Sequence, residues 1–161
     1  IISNTLFKAM RNSMFNPSQF LARTDLCKKV GGCDERIKFS QEYSLTLRLS
    51  VFGKFIRLNH PIAILPFNVP GQISEKKNNQ IYRVSKALEL FIEDNPQLEL
   101  KSLLYAQRRI TARAWRFAKR FKKDGYFSYW FLLYLKGVFG IRSNILGNCK
   151  EANRVYHDYL D

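Results

Sequence analysis

After residue 80 the apolar side chains of this chain recur every three or four positions, the spacing that places them on one face of an α-helix. A first series, Ile81, Val84, Leu88 and Phe91, ends at the Asn95-Pro96 pair. Proline is favoured at the first position of a helix, so the next helix is expected to begin there and to reach Lys123. Residues 79–161 are therefore predicted to form an all-helical region.

The helix after Pro96 combines an apolar face with an adjoining basic one. At about 100° per residue, its apolar residues share one side: Leu103, Ile110, Ala114, Phe117 and Phe121. Four arginines are expected on the neighbouring side: Arg109, Arg113, Arg116 and Arg120. Two more helical segments are predicted, from Tyr126 to Val138 and from Ser143 to Tyr159.

Residues 1–78 show a mixed pattern. Short helices are predicted from Thr24 to Lys29, ended by Gly31-Gly32, and from Gln41 to Phe52, with Ser40 as N-cap and Leu45, Leu49 and Phe52 on its apolar side. Two short strands are expected at Lys54 to Leu58 and Ile62 to Phe67, followed by a connecting loop from Ser74 to Gln80. This part is predicted to be α/β.

The charge is strongly unbalanced. There are 27 Lys plus Arg against 13 Asp plus Glu, a formal net charge of +14. Such a balance indicates a polyanionic neighbour, which leaves nucleic acid, an acidic membrane surface and a phosphorylated substrate open.

The basic residues are concentrated in one helix. Between Lys101 and Lys123 there are nine Lys or Arg and no acid, and the aromatic run YFSYWFLLYL follows. A basic helix beside aromatic side chains suits an anionic membrane surface. The same residues could instead bind nucleic acid. A third alternative is that the basic side chains are simply solvated and the aromatic side chains belong to the core.

The three cysteines, Cys27, Cys33 and Cys149, lack the paired spacing of a zinc site and are expected to be free thiols. Free thiols favour the cytoplasm, with a peripheral position at the inner face of the membrane as a further option. The opening residues show no signal-peptide pattern. The longest strongly apolar run, Gly125 to Leu135, is about half of the ~20 residues that span a bilayer.

One stretch carries a family resemblance. An Asn-Pro-Ser precedes a short helix that ends in V-G-G, then come D-E and the helix QEYSLTLRLSVFGK. This order, over roughly residues 12 to 75, resembles the second half of the catalytic domain of family 2 glycosyltransferases, which have the GT-A fold. These enzymes move a sugar from a nucleotide-sugar to an acceptor hydroxyl with inversion. The resemblance implies a truncated GT-A domain in residues 1–78, followed by the helical region.

The resemblance assigns roles to four residues. Glu42 stands where the family usually keeps an aspartate as the catalytic base, which takes the proton of the acceptor hydroxyl. Gln41, Asp34 and Glu35 are implied on the acceptor side. The structural alternatives are that Glu42 is an acidic first-turn helix residue and that the others are turn or cap residues. Arg48 is expected to stabilise the fold through an ion pair.

Departures from the family limit what this chain is expected to do alone. No Asp-x-Asp occurs, and the family's Arg and His positions in PFNVPGQIS are Phe67 and Val69. No metal ligands are therefore assigned here. The nucleotide-sugar donor and a divalent cation, Mg²⁺ or Mn²⁺, are expected on an amino-terminal nucleotide-binding half. The isolated chain is expected to be inactive, and the acceptor to be a glycan or a lipid-linked sugar.

Overall fold

A computed structural model describes residues 1–15, 17–37, 40–64 and 77–159. The chain divides into two compact units, Ile1–Gln80 and Ile81–Asp161. The described α-helices, in chain order, are α1 Thr5–Arg11, α2 Thr24–Lys29, α3 Gln41–Phe52, α4 Lys77–Asp94, α5 Leu100–Phe117, α6 Tyr129–Val138 and α7 Ile145–Asn153. Short 3₁₀ turns occupy Pro17–Gln19 and Arg154–Tyr159, and one π-turn occupies Ala118–Lys122.

The predicted α/β class is wrong, because the described residues form helices and no β-sheet. The segment Lys54–Leu58 is not a strand, and neither are residues 62–64 of the second predicted strand, whose remainder lies outside the described residues. A strand exists only as part of a ladder of backbone hydrogen bonds. The one described bond of this kind joins the Ile2 amide to the Phe55 carbonyl, at 2.8 Å, which is too little to form a sheet.

In the first unit, α3 packs against α1 and α2. Its two largest fully buried side chains are Tyr43 and Leu47, one helical turn apart, and the Tyr43 hydroxyl donates to the Met10 carbonyl of α1 at 3.1 Å. The predicted apolar side was only partly right, since Phe52 is 49% exposed. The Tyr43 ring has more apolar area to bury than Leu45, and it therefore fixes which side of the helix faces the core.

In the second unit, α6 and α7 both pack against α5. The predicted helices are confirmed in this unit, although the chain around Pro96 forms a turn and α5 begins only at Leu100. The predicted Ser74–Gln80 loop is wrong for residues 77–80, which begin α4, and its first residues lie outside the described residues. No helix of the described chain is long and apolar enough to cross a bilayer.

The π-turn closes the long basic helix. It widens the last helical turn and is capped by Lys123, whose φ of 54° is left-handed. The Asp124 amide then donates to the Ala118 carbonyl at 3.3 Å. The helical stretch therefore reaches Lys123 as predicted, with one more residue in its last turn than an α-helix would hold.

The backbones of α5 and α6 come close together at Gly137. A Cβ atom on Gly137 would lie 2.3 Å from the Thr111 Oγ1 and 3.1 Å from the Arg108 Cα. The Thr111 hydroxyl cannot move away freely, because it donates to the Gln107 carbonyl at 2.8 Å. Only glycine fits this position without displacing α6.

We expect Gly137→Ala to lower the free energy of unfolding of the second unit by about 1–3 kcal/mol, the usual cost of forcing an extra methyl group into a packed contact. Urea unfolding followed by tryptophan fluorescence measures this, because Trp115 and Trp130 both lie in this unit. Gly125→Ala is the control, since nothing lies within 4 Å of the added atom. Equal unfolding midpoints for the two variants would refute the close contact.

Candidate active site

Glu42 lies in the first turn of α3, as predicted, and its side chain is half-buried. Ser40 precedes the helix with a left-handed backbone, φ 60°, and its side chain makes no capping hydrogen bond. Among the residues the structure describes, no cation forms an ion pair with the Glu42 carboxylate.

The loop before α3 is held by the Gln41 side chain. Its Oε1 accepts from the Asp34 amide and its Nε2 donates to the Asp34 carbonyl, both at 3.0 Å. The same Nε2 also donates to the Ile37 carbonyl. Gln41 therefore uses both ends of its amide to fix the turn, and we describe it as a residue that positions the loop. Its predicted contact with an acceptor stays a prediction.

Asp34 is buried, 8% exposed, and its carboxylate is occupied within the loop. It accepts from the Arg36 guanidinium at 2.8 and 2.9 Å and from the Arg36 amide at 3.1 Å. These hydrogen bonds, with the positive charges of Arg36 and Arg48, hold the pKa of Asp34 below its usual value despite its burial. The carboxylate is neutralised by Arg36, whereas Glu35 beside it is exposed.

Arg48 stabilises the same region from the next turns of α3. Its guanidinium donates to the Val30 carbonyl at 2.8 Å and to the Gly32 carbonyl at 2.6 Å. These oxygens belong to the turn that ends α2, where Gly31 and Gly32 have left-handed backbones. The predicted stabilising role agrees with this geometry, but the recorded partners are backbone carbonyls and not a carboxylate.

The geometry therefore separates the four predicted residues into two groups. Asp34 and Gln41 are brought together by direct hydrogen bonds and shape the loop between α2 and α3. Glu42 and Glu35 present carboxylates for which the described residues supply no ion pair. Sequence reasoning missed Arg36, although an arginine two residues after an aspartate is a local signal for such a pairing.

A groove of about 1030 Å³ lies elsewhere in the first unit. It is lined near the C-terminal end of α3 by Leu49 and Gly53, and by Lys54, Arg57 and His60 of the extended segment. Glu42 is not among its lining residues. This groove is therefore separate from the candidate base.

The described residues hold no group of three or more His, Cys, Asp or Glu side chains that could bind a metal ion. All three cysteines are free thiols, of which Cys149 is fully buried and Cys33 exposed. Burial, together with the negative charge of Glu89, raises the pKa of the Cys149 thiol. Cys149 is therefore an inert core residue.

The second unit buries charged groups that the sequence reasoning left out. Glu89 is 2% exposed and pairs with the Lys86 Nζ at 2.5 Å and with the Asn153 side-chain amide of α7. Ser85, one turn earlier on α4, is buried as well, so the inner face of this helix is partly polar, which its sequence pattern does not reveal. Arg113 is 8% exposed, so this arginine does not belong to a solvated basic face, one of the alternatives left open for the helix.

Comparisons of this chain with protein-family models, with curated proteins and with solved structures find no match.

Low pH should destabilise the loop between α2 and α3, because it protonates the Asp34 carboxylate. The pKa of Asp34 is lower in the folded chain than the ordinary carboxyl value near 3.8, so the ionised carboxylate stabilises the loop at pH values above 3.8. This stabilisation is lost as the pH falls through the lowered pKa of the folded chain. We expect Asp34→Asn to lower amide hydrogen-exchange protection at residues 34 and 37 roughly tenfold at neutral pH, since a hydrogen bond to a charged group contributes about 1.5 kcal/mol.

The matched control is Asp25→Asn. Asp25 also pairs with an arginine two residues away, but this pair is exposed, with 61% of the Asp25 side chain accessible. Exposed pairs contribute little, so protection around α2 should hardly change. Equal losses for the two variants, or wild-type protection in Asp34→Asn, would contradict the role given to Asp34.

Proposed function

We propose that this chain takes part in the transfer of a sugar from a nucleotide-sugar to an acceptor hydroxyl, with Glu42 as the general base. The observation that carries the proposal is the Glu42 carboxylate itself. It lies in the first turn of α3 without an ion pair from the described residues, on a helix that Gln41 fixes to the preceding loop and Arg48 to the turn that ends α2. A general base needs a carboxylate that is accessible and held by rigid supports.

The chemistry assigns one proton to Glu42. The acceptor oxygen forms a bond to the anomeric carbon while the bond from that carbon to the phosphate oxygen breaks on the opposite face, so the configuration inverts. The nucleoside diphosphate leaves with the bonding electron pair. The hydroxyl proton passes to the Glu42 carboxylate, which prevents an oxonium product from accumulating.

The residue pattern around Glu42 supports the same assignment. The double glycine, the Asp34-Glu35 pair and the Leu-x-Leu-Arg helix are the features in which the chain resembles family 2 glycosyltransferases. The proposal rests on α3 and its preceding loop, and not on a sheet.

The donor site is proposed for an amino-terminal nucleotide-binding half. It would hold the nucleotide-sugar and the Mg²⁺ or Mn²⁺ ion, which neutralises the diphosphate as it leaves. In this chain Glu35 is the exposed carboxylate on the acceptor side, and Asp34 and Gln41 shape the loop. We propose a glycan or a lipid-linked sugar as acceptor, and a cytoplasmic location at the inner face of the membrane.

Glu42→Gln, in the chain joined to its nucleotide-binding half, should lower transfer by about 10²-fold or more while binding of the donor is kept, because only the proton acceptor is lost. Release of nucleoside diphosphate from a panel of uridine, guanosine and thymidine diphosphate sugars measures the reaction. Glu42→Asp keeps a carboxylate, the residue usual in the family, and should retain activity.

The matched control is Glu99→Gln, which removes an exposed carboxylate at the N-cap position of α5. Its transfer rate should equal that of the wild type. If Glu42→Gln transfers sugar within a few-fold of the wild type, Glu42 is not the base.

A second expectation concerns the 161 residues alone. Because the diphosphate and the cation are proposed to bind elsewhere, this chain should neither bind nor hydrolyse a nucleotide-sugar by itself. Isothermal titration with uridine diphosphate glucose, with and without Mn²⁺, tests this. Tight binding that depends on the metal would show that the chain has its own donor site.

A further inference from the structure

Large apolar side chains are exposed together at one place in the second unit. Single exposed apolar residues are common, but a contiguous group marks an interaction site. In and around α6 the exposed fraction is 98% for Phe127, 74% for Phe139, 59% for Tyr126 and 52% for both Tyr129 and Leu132. Leaving such a group of apolar side chains in water is unfavourable in free energy.

The α6 residues of this group share one side of the helix. At about 100° per residue, Tyr129, Leu132, Lys136 and Phe139 fall within an arc of roughly 80°. Leu133 and Gly137, which are buried, lie on the adjoining side, about 100° around the helix from the middle of this arc. The packing of α6 on α5 therefore leaves a stripe of apolar side chains facing outward.

Lysines lie directly beside these rings. The Lys119 Nζ is 5.0 Å from the centre of the Tyr126 ring and donates to the Tyr126 hydroxyl at 3.1 Å. The Lys122 Nζ is 5.9 Å from the centre of the Trp130 ring. Lys136 is exposed within the stripe. Positive charge and exposed aromatic area therefore occupy the same surface.

The surrounding sequence has almost no negative charge. From Lys101 to Lys150 there are twelve Lys or Arg and a single acid, Asp124. The next residue, Glu151, accepts from the Tyr129 hydroxyl at 3.4 Å, and its charge is paired with Arg154 at 3.0 Å. Within residues 119–142 the exposed basic residues are Lys119, Arg120, Lys123, Lys136 and Arg142. A partner for this surface must therefore be anionic and must also accept apolar side chains.

We propose that the face formed by residues 119–142 docks on the surface of a membrane that contains anionic phospholipids. α6 would lie along the surface, with Phe127, Leu132 and Phe139 in the boundary between headgroups and acyl chains and the lysines at the lipid phosphates. Nucleic acid offers phosphates and flat bases, but no apolar medium for an aliphatic side chain such as Leu132. This inference does not depend on the role of Glu42.

The test is cosedimentation of the 161-residue chain with phosphatidylcholine vesicles, with and without phosphatidylserine, across a salt series. The expected result is binding that requires phosphatidylserine at low salt and persists in part at high salt, because salt screens the charges but not the buried rings. The emission of Trp130, which is half-buried, should shift to shorter wavelength on binding, whereas Trp115 is already in the core.

Phe127→Ser with Phe139→Ser should weaken vesicle binding roughly tenfold or more, because each substitution removes a ring whose transfer from water into the lipid boundary is favourable. The control is Leu21→Ser with Ile64→Ser, two side chains of the first unit that are equally exposed at 98% and 101%. Lys119→Gln with Lys123→Gln should reduce binding mainly at low salt, and Lys28→Gln with Lys54→Gln should have less effect. Circular dichroism confirms that each variant is folded.

Three outcomes would overturn the proposal. The first is the absence of vesicle binding by the wild-type chain. The second is equal loss of binding in the Phe127/Phe139 and Leu21/Ile64 variants, which would show that this face is not involved. The third is sub-micromolar binding to an oligonucleotide that falls steeply with salt, together with no preference for vesicles, which would identify nucleic acid as the anionic partner.

Discussion

The arrangement of the second unit depends on the close approach of α6 to α5 at Gly137. Because no side chain fills this position, the two backbones can pack almost directly against each other, with Thr111 between them. This contact fixes the rotation of α6 about its own axis. Leu133 then faces the core, whereas Leu132 and Phe139 must face outward. The exposed apolar stripe is therefore a consequence of the packing and not of a loosely held helix.

The first unit relies on side chains that hydrogen-bond to backbone. Gln41 and Arg48 both lie on α3, and together they hold the turn that ends α2 and the loop around Asp34. Tyr43 fixes the same helix to α1 through the Met10 carbonyl. Polar groups of α3 are thus used for support on several sides. Glu42 differs from them because its carboxylate forms neither a hydrogen bond nor an ion pair with a described residue.

Local signals predicted six of the seven described α-helices, all except α1, whereas features that depend on distant parts of the chain were predicted poorly. Helix α3 was predicted from Gln41 to Phe52, because periodicity and the Gly53 stop act within a few residues. The strand prediction for Lys54 to Leu58 was wrong because a strand needs a second strand to pair with, and the residue pattern of one segment does not show whether such a partner exists. Burial of Arg113 was missed because arginine is usually expected at the surface. Here the packing around α5 buries this side chain. The Gln41 contacts depend on the three-dimensional path of the loop and have no signature in the sequence pattern.

The π-turn at Ala118–Lys122 makes this part of the chain a natural place for a change in length. A π-turn holds one residue more than the corresponding α-turn, so a shorter chain could close the same turn in ordinary α-helical form. The residues after it, including Tyr126 and all of α6, would then keep their place against α5. Elsewhere in α5 the loss of one residue would rotate everything that follows by about 100° and would turn the buried face toward solvent. Length variation among related chains should therefore collect at this turn.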